Sequence, residues 1–272
     1  MKINLRQITY LAAAAMLGAG LAACSSVPAT SPFELARLSA PPIDFSALLT
    51  HPDRPLDDFK DDAARHPDEI LAFAGLEHGM TVVEIEAGAG YYTELLSHGV
   101  GPEGKVFMQN PLAFDGFFGD AIAERLADNR LPNVQAVRTN FDALTVADSS
   151  ADIVTWFLGP HELWFRPDGA PEEAFGNPQK AFAEIARVMK PEGLFVAIDH
   201  VAPAGSPVES GSDTHRIDPA VIMQYAEAAG LTLVDSTDIL ANPDDDGTLS
   251  VFDPSLRRNT NRIVYKFRSA AS

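Results

Sequence analysis

From His66 onward the chain alternates helical patterns with short apolar runs. That alternation constrains the fold more than any other feature, because repeated βα units assemble into a mostly parallel sheet. Pro67 and Gly75 bracket a helix over Asp68 to Ala74, and Gly79 precedes a strand over Thr81 to Ile85. A glycine-containing turn leads to a helix over Tyr92 to Ser97, then a strand over Lys105 to Gln109. A helix over Asp120 to Ala127 and strands over Val134 to Arg138 and Asp152 to Phe157 follow. Asn177 as N-cap and Pro178 open a helix running to Met189, and Lys190-Pro191-Glu192-Gly193 turns the chain into a strand over Leu194 to Asp199. Asp218, Pro219 and Gly230 delimit the next helix, before strands over Leu231 to Asp235 and Arg262 to Phe267.

The first residues have a different character. Lys2 and Arg6 precede an apolar, alanine-rich run from Ile8 to Ala23, shorter than the ~20 residues a spanning helix needs, so residues 1–23 read as a signal peptide. Leu21-Ala22-Ala23-Cys24 resembles the lipobox of bacterial lipoproteins, which implies lipidation of Cys24, the single cysteine. Ser25 and Ser26 resemble lipoproteins sorted to an outer membrane, which implies an exported chain on its periplasmic face, touching membrane only through the lipid. Residues 24–56 read as lipidated cysteine and tether, and 57–272 as one α/β domain. Removing Lys2 and Arg6 leaves 18 basic against 38 acidic side chains, which argues against nucleic acid as a partner.

Val82-Val83-Glu84-Ile85-Glu86-Ala87-Gly88-Ala89-Gly90 ends the first strand and opens a helix. With Gly104-Lys105-Val106, Leu131-Pro132-Asn133-Val134, Ser150-Ala151-Asp152-Ile153-Val154 and Arg187-Val188-Met189-Lys190-Pro191-Glu192-Gly193 in order, the segment Asp57 to Arg268 resembles class I S-adenosylmethionine-dependent methyltransferases. A bacterial branch of predicted methyltransferases also shares Asp213-Thr214-His215-Arg216-Ile217-Asp218-Pro219 and Val251-Phe252-Asp253-Pro254. The resemblance implies a Rossmann-like, doubly wound seven-stranded sheet, order 3-2-1-4-5-7-6 with strand seven antiparallel. It implies S-adenosylmethionine as cofactor, held by Glu84, Glu86, Gly88, Gly90, Tyr91, Asn110, Asn140 and Phe141.

Three of these positions depart from the family pattern. Glu86 replaces the first glycine of motif I, Asn110 the acid that holds the ribose, and Asn140 the Asp that often meets the adenine amino group. An amide for a carboxylate at the ribose forfeits part of a charge-assisted bond, roughly 1.5 to 3 kcal/mol. Glu86 has three outcomes: repulsion of the donor's carboxylate, about 4 kcal/mol at ~4 Å and an effective dielectric of 20, attraction of its ammonium and sulfonium, or a carboxylate turned to solvent.

On the acceptor side, His161 and Glu162 follow strand four, and Asp199 and His200 end strand five, so all four overhang the crevice where α/β folds bind ligands. His161 and His200 are the candidate catalytic bases, each against a purely structural role. Trp156, Glu162, His215 and Arg216 are candidate substrate residues, with Arg216 alternatively capping backbone carbonyls. No metal is assigned to the rim, because the tight His-x₃-His type of spacing is absent. Asn242, Asp244, Asp246, Gly247 and Asp253 partly match a calcium loop, with an acidic solvated turn as the alternative. Two functions follow: methyl transfer to a small or envelope-associated acceptor, or a binding protein that kept the fold and lost the donor. The donor is made in the cytoplasm, whereas the lipobox predicts a domain outside the inner membrane.

Overall fold

The apolar runs become strands β1 (Thr81–Ile85), β2 (Lys105–Asn110), β3 (Val134–Arg138), β4 (Ala151–Phe157), β5 (Met189–His200), β6 (Leu231–Ser236) and β7 (Arg262–Ser269). In the computed structural model, which describes residues 41–167 and 173–269, they form one seven-stranded sheet in the order β3-β2-β1-β4-β5-β7-β6. The first five strands run parallel, and β7 is antiparallel to both β5 and β6. This is the Rossmann-like architecture expected from the motifs. Two features differ in detail: β5 begins at Met189, where Ala151 pairs with it ahead of a register shift, and the helix after β2 begins at Asp115.

The helices are α1 (Phe45–Leu49), α2 (Phe59–Arg65), α3 (Pro67–Ala74), α4 (Tyr91–Val100), α5 (Asp115–Arg125), α6 (Pro178–Val188), α7 (Ser210–Asp213) and α8 (Pro219–Ala228). The expected caps are present: the Asn177 side chain accepts from Lys180 N, and that of Asp218 from Ala220 N. Central strands cannot show polar alternation, since both faces are covered. Successive residues divide instead between two apolar clusters, Val83, Val154 and Phe195 in one and Val82, Ile153 and Val196 in the other.

The expected signal peptide, Cys24 and the expected tether up to residue 40 lie outside the described residues. The expected domain start at 57 is too late. Leu48 of α1 is buried in the same cluster as Ile70, Leu71 and Leu96, and a leucine so placed contributes roughly 1.5 to 3 kcal/mol, more than a solvated tether tolerates. Among the described residues no helix is long and apolar enough to cross a membrane.

Candidate functional site: a cavity over the glycine loop and a buried histidine cluster

A cavity of about 700 Å³ opens at the C-terminal end of β1, between the glycine loop, α5 and the segment leading into α2. Gly88 lies in its wall, and it and Gly90 take φ of +56° and +85°, the left-handed region where a side chain is costly. A Cβ on Gly88 would meet nothing within 4 Å, whereas one on Gly90 would lie 2.5 Å from the Arg125 side chain. The loop is therefore open on one side and clamped on the other. The clamp is Arg125, whose Nε donates to the Ala89 carbonyl at 2.6 Å.

Glu86 does not turn to solvent. Its φ of +55° costs roughly 1 to 2 kcal/mol for a side-chain-bearing residue, and its carboxylate accepts from Trp156 Nε1 at 2.8 Å. Burial first, then the neighbouring Glu162 charge, raises its pKa well above the carboxylate range. Glu84 is buried beside it, accepting from the Thr93 hydroxyl, and burial pushes its pKa up to about 8 against the pull of Thr93, Arg125 and Arg65. Both carboxylates line the cavity, as does Tyr91, whose hydroxyl donates to Asp62 at 2.6 Å.

The other expected donor contacts need correction. Asn110 accepts from Gly88 N at 2.8 Å and donates to Gly88 O at 3.1 Å, so it braces the loop and lies outside the cavity lining. Asn140 is exposed and donates to the Ala174 carbonyl at 3.2 Å, and Phe141 is fully buried against Trp156 and Phe175. Neither lines the cavity. Trp156 is core as well, with only its N–H reaching a site group, Glu86.

Residues not singled out from sequence close the cavity's other wall. Arg125 pairs with Asp58 at 3.0 Å and Glu94 at 2.9 Å, and Arg130 pairs with Glu94 at 2.7 Å. Arg54, in turn, pairs with Asp62 and stacks over Phe59 and Tyr91. Burial alone would raise the Glu94 pKa, but His98 and the two guanidinium groups hold it down at about 2. No spacing in the sequence marks this network, because its members come from three separate stretches, 54–62, 91–98 and 125–130.

At the ends of β4 and β5 a second polar group is assembled. His161 and Glu162 lie on the short 3₁₀ helix Pro160–Trp164. Asp199 accepts from His161 N at 2.7 Å and meets His161 Nδ1 at 2.6 Å; a carboxylate only accepts, so Nδ1 carries the proton. His161 Nε2 faces His215 Nδ1 at 3.3 Å and Glu162 Oε1 at 3.4 Å, and His215 Nδ1 lies 3.2 Å from Glu162 Oε1. Desolvation opposes protonation of His161, but Asp199 and Glu162 outweigh it and raise its pKa well above 6.5. The His161 side chain is 4% exposed, so the expected direct attack on a substrate proton is obstructed: Nε2 is turned to Glu162 and His215.

His215 is delivered by packing. Gly211 of α7 sits so close to the 3₁₀ helix that a Cβ there would be 2.5 Å from the His161 carbonyl, and Ile217 N donates to His200 O at the end of β5. His215 itself takes φ +54°. Its neighbour Arg216 is fully buried, donating to the carbonyls of Leu249 and Val201 and pairing with Asp245 at 2.9 Å. Arg216 is thus a carbonyl-capping residue and not a substrate ligand. His200 is corrected too: burial and the nearby His161 push its pKa well below 6.5, and its Nδ1 meets Thr260 Oγ1 at 2.7 Å, away from the cluster. In the calcium-like segment Asp246 accepts from Thr248 and Asp253 from Ser255, each within its own turn, while Asp245, off the template, is the buried member. The acidic-turn alternative describes that segment.

Comparison with known proteins agrees with this architecture. Residues 84–197 match the family described as "Methyltransferase domain". A curated relative, the ubiquinone/menaquinone biosynthesis C-methyltransferase UbiE of Salmonella arizonae, is 25% identical over 185 residues, which take in 65% of this chain and 66% of the relative, just under two thirds of its length. Among solved structures, a SAM-dependent methyltransferase from Aquifex aeolicus superposes with a TM-score of 0.55 at 21% identity, over 83% of this chain and 98% of that one. The [4+2]-cyclase SpnF superposes with a TM-score of 0.55 at 16% identity, over 79% and 84%. These structural likenesses establish the fold. Part of the chain thus matches a methyltransferase family model, on a fold that also serves other chemistry.

Proposed function

We propose that this chain, with its methyltransferase domain and fold, binds S-adenosylmethionine over the Gly88 loop and transfers a methyl group to a small or envelope-associated acceptor. The observation that carries the reading is the cavity of about 700 Å³ whose wall combines the open face of Gly88 with the carboxylates of Glu84 and Glu86. Its volume suits a nucleoside-sized ligand, and its acidic lining suits one with two cationic centres. The group bound there supplies an electrophilic methyl; the chain supplies position and electrostatics. Tyr91, held by Asp62, offers an aromatic wall, and Asn110 fixes the loop through Gly88. Glu86, tied to Trp156, gives up its proton when the cationic end arrives, the attractive one of its three possible outcomes. Glu162 and His215 belong to the acceptor end.

Calorimetric titration of S-adenosylmethionine and S-adenosylhomocysteine into the purified protein tests this reading, with a Glu86→Gly, Asn110→Asp double variant alongside. Micromolar binding is expected. Absence of binding, with recovery in the double variant, would overturn the donor assignment and leave the crevice to another metabolite or partner.

The location is a second part of the proposal. Leu21-Ala22-Ala23-Cys24 supports lipidation at Cys24 and anchoring at the periplasmic face of the outer membrane. Incorporation of labelled fatty acid in cells, abolished by Cys24→Ser, is the expected result; equal labelling of the variant would contradict it.

A further inference from the structure

We propose that His161, Glu162 and His215 form a binding site for one divalent transition-metal ion of the zinc class, with three protein ligands and one open position. The three candidate ligand atoms, His161 Nε2, Glu162 Oε1 and His215 Nδ1, stand 3.2, 3.3 and 3.4 Å apart. Bonds of ~2.0 to 2.1 Å at a tetrahedral ion put ligand atoms ~3.3 Å from one another, so this triangle is one face of such a tetrahedron. As hydrogen bonds the same three contacts are long, since charge-assisted pairs settle at about 2.7 to 2.9 Å. The contrast with the 2.6 Å His161–Asp199 bond in the same cluster is direct.

The surrounding contacts are those a metal site needs. Asp199 accepts a hydrogen bond from the Nδ1 proton of His161 and turns Nε2 toward Glu162 and His215, where a bound ion displaces the Nε2 proton, the carboxylate–histidine arrangement that orients a ligand imidazole. Glu162 Oε2 is buried with no hydrogen-bond partner. Among the described residues the ion-pair partners of Glu162 and Asp199 are histidines alone. A buried carboxylate without a fixed cation is costly, and a divalent ion removes that cost. The rings of Phe165 and Phe252 flank His215, each with its centroid 4.8 Å away.

Three protein ligands with a free fourth position is the pattern of zinc sites that bind a substrate, as opposed to closed structural ones. The open corner takes an oxygen donor, and a cation there lowers the proton affinity of a bound hydroxyl, which His161, with Nε2 engaged, cannot do directly. That last role, a hydroxyl-bearing methyl acceptor on the ion, rests on the proposed function. The metal site itself rests on geometry alone.

The test uses the purified protein and zinc as the probe. After incubation with Zn(II) and desalting, about one equivalent is expected to remain by elemental analysis, and Co(II) in its place is expected to give the intense visible absorption of a tetrahedral complex. Competition with a chromophoric chelator should show affinity reduced about 100-fold or more in Glu162→Gln and His215→Ala, and about 10- to 100-fold in Asp199→Asn. Retention below about a tenth of an equivalent, or unchanged affinity in the folded Glu162→Gln, His215→Ala double variant, would overturn the site. If the variants do not fold, the Co(II) spectrum of the unaltered protein decides, and a weak octahedral band or none overturns it. None of these readouts involves methyl transfer. Zinc bound without S-adenosylmethionine would therefore remove the proposed function and keep this site, and the reverse result would do the opposite.

Discussion

Buried carboxylates on the two sides of the β1 end are neutralised in opposite ways. On the α4–α5 side Asp58 and Glu94 share the guanidinium groups of Arg125 and Arg130, and the group is electrically closed. On the β4–β5 side Glu86, Glu162 and Asp199 have an indole and two imidazoles as partners and no guanidinium or ammonium group within ion-pair distance among the described residues. Around Arg125 itself two glutamates differ in the same way: Glu94, paired with it, is held at about 2, and Glu84, not paired with it, is pushed up to about 8. Closed charge networks hold structure, while open ones are where a cationic ligand or ion finds its counter-charge. The difference separates the wall of the site from its working surface.

The largest expected effect breaks the contrast at Glu84. Its folded-state pKa lies above the ordinary 4.5, so the stability linked to its protonated form is present below pH 4.5 and lost as pH rises through about 8. At about 1.4 kcal/mol per unit this amounts to on the order of 4 to 5 kcal/mol. Chemical denaturation from pH 4.5 to 8 should show that loss in the unaltered protein and little of it in Glu84→Gln; parallel curves would refute the assignment. Next, Arg125→Met opens the closed side, leaving Asp58 uncompensated and Glu94 only partly paired. A loss of about 3 to 5 kcal/mol is expected by the same method, and a change under about 1 kcal/mol would mean the network is ornamental.

A smaller effect sharpens the other side. Gly211→Ala forces a Cβ toward the His161 carbonyl and should cost about 1 to 3 kcal/mol, with zinc affinity falling more steeply than stability. Equal stability and equal affinity would show that α7 does not set the position of His215. The smallest change in stability belongs to Glu86→Gly, where relief of the left-handed backbone and loss of the Trp156 bond nearly offset each other, within about 1 kcal/mol. S-adenosylmethionine affinity is the readout that should move, and a thermal midpoint lowered by much more than that balance allows would mean the carboxylate is structural.

The strands and their order were legible because central parallel strands are short, apolar and punctuated by glycine and proline, and because the motifs between them keep their spacing. The start of the domain was not: Ser, Pro and Ala around residues 25–42 read as tether, and one buried leucine, Leu48, is too weak a signal to mark where packing begins. The metal geometry was hidden for a different reason. His161 and His215 are 54 positions apart and come from separate crossover segments, so no spacing rule finds them. The left-handed turn at His215 then sends two adjacent side chains in opposite directions, His215 to the cluster and Arg216 into the core, a divergence that periodicity does not encode.

One close approach at the site carries a consequence for change over time. A Cβ at Gly159 would lie 2.0 Å from Glu86 Oε2 and 2.5 Å from Trp156 Nε1. Positions 86 and 159 are therefore coupled: while a glutamate tied to Trp156 occupies 86, a side chain at 159 must displace both the carboxylate and the indole, and shortening 86 alone removes only the first of these contacts. A library randomised at both positions should return folded clones in which the two choices covary.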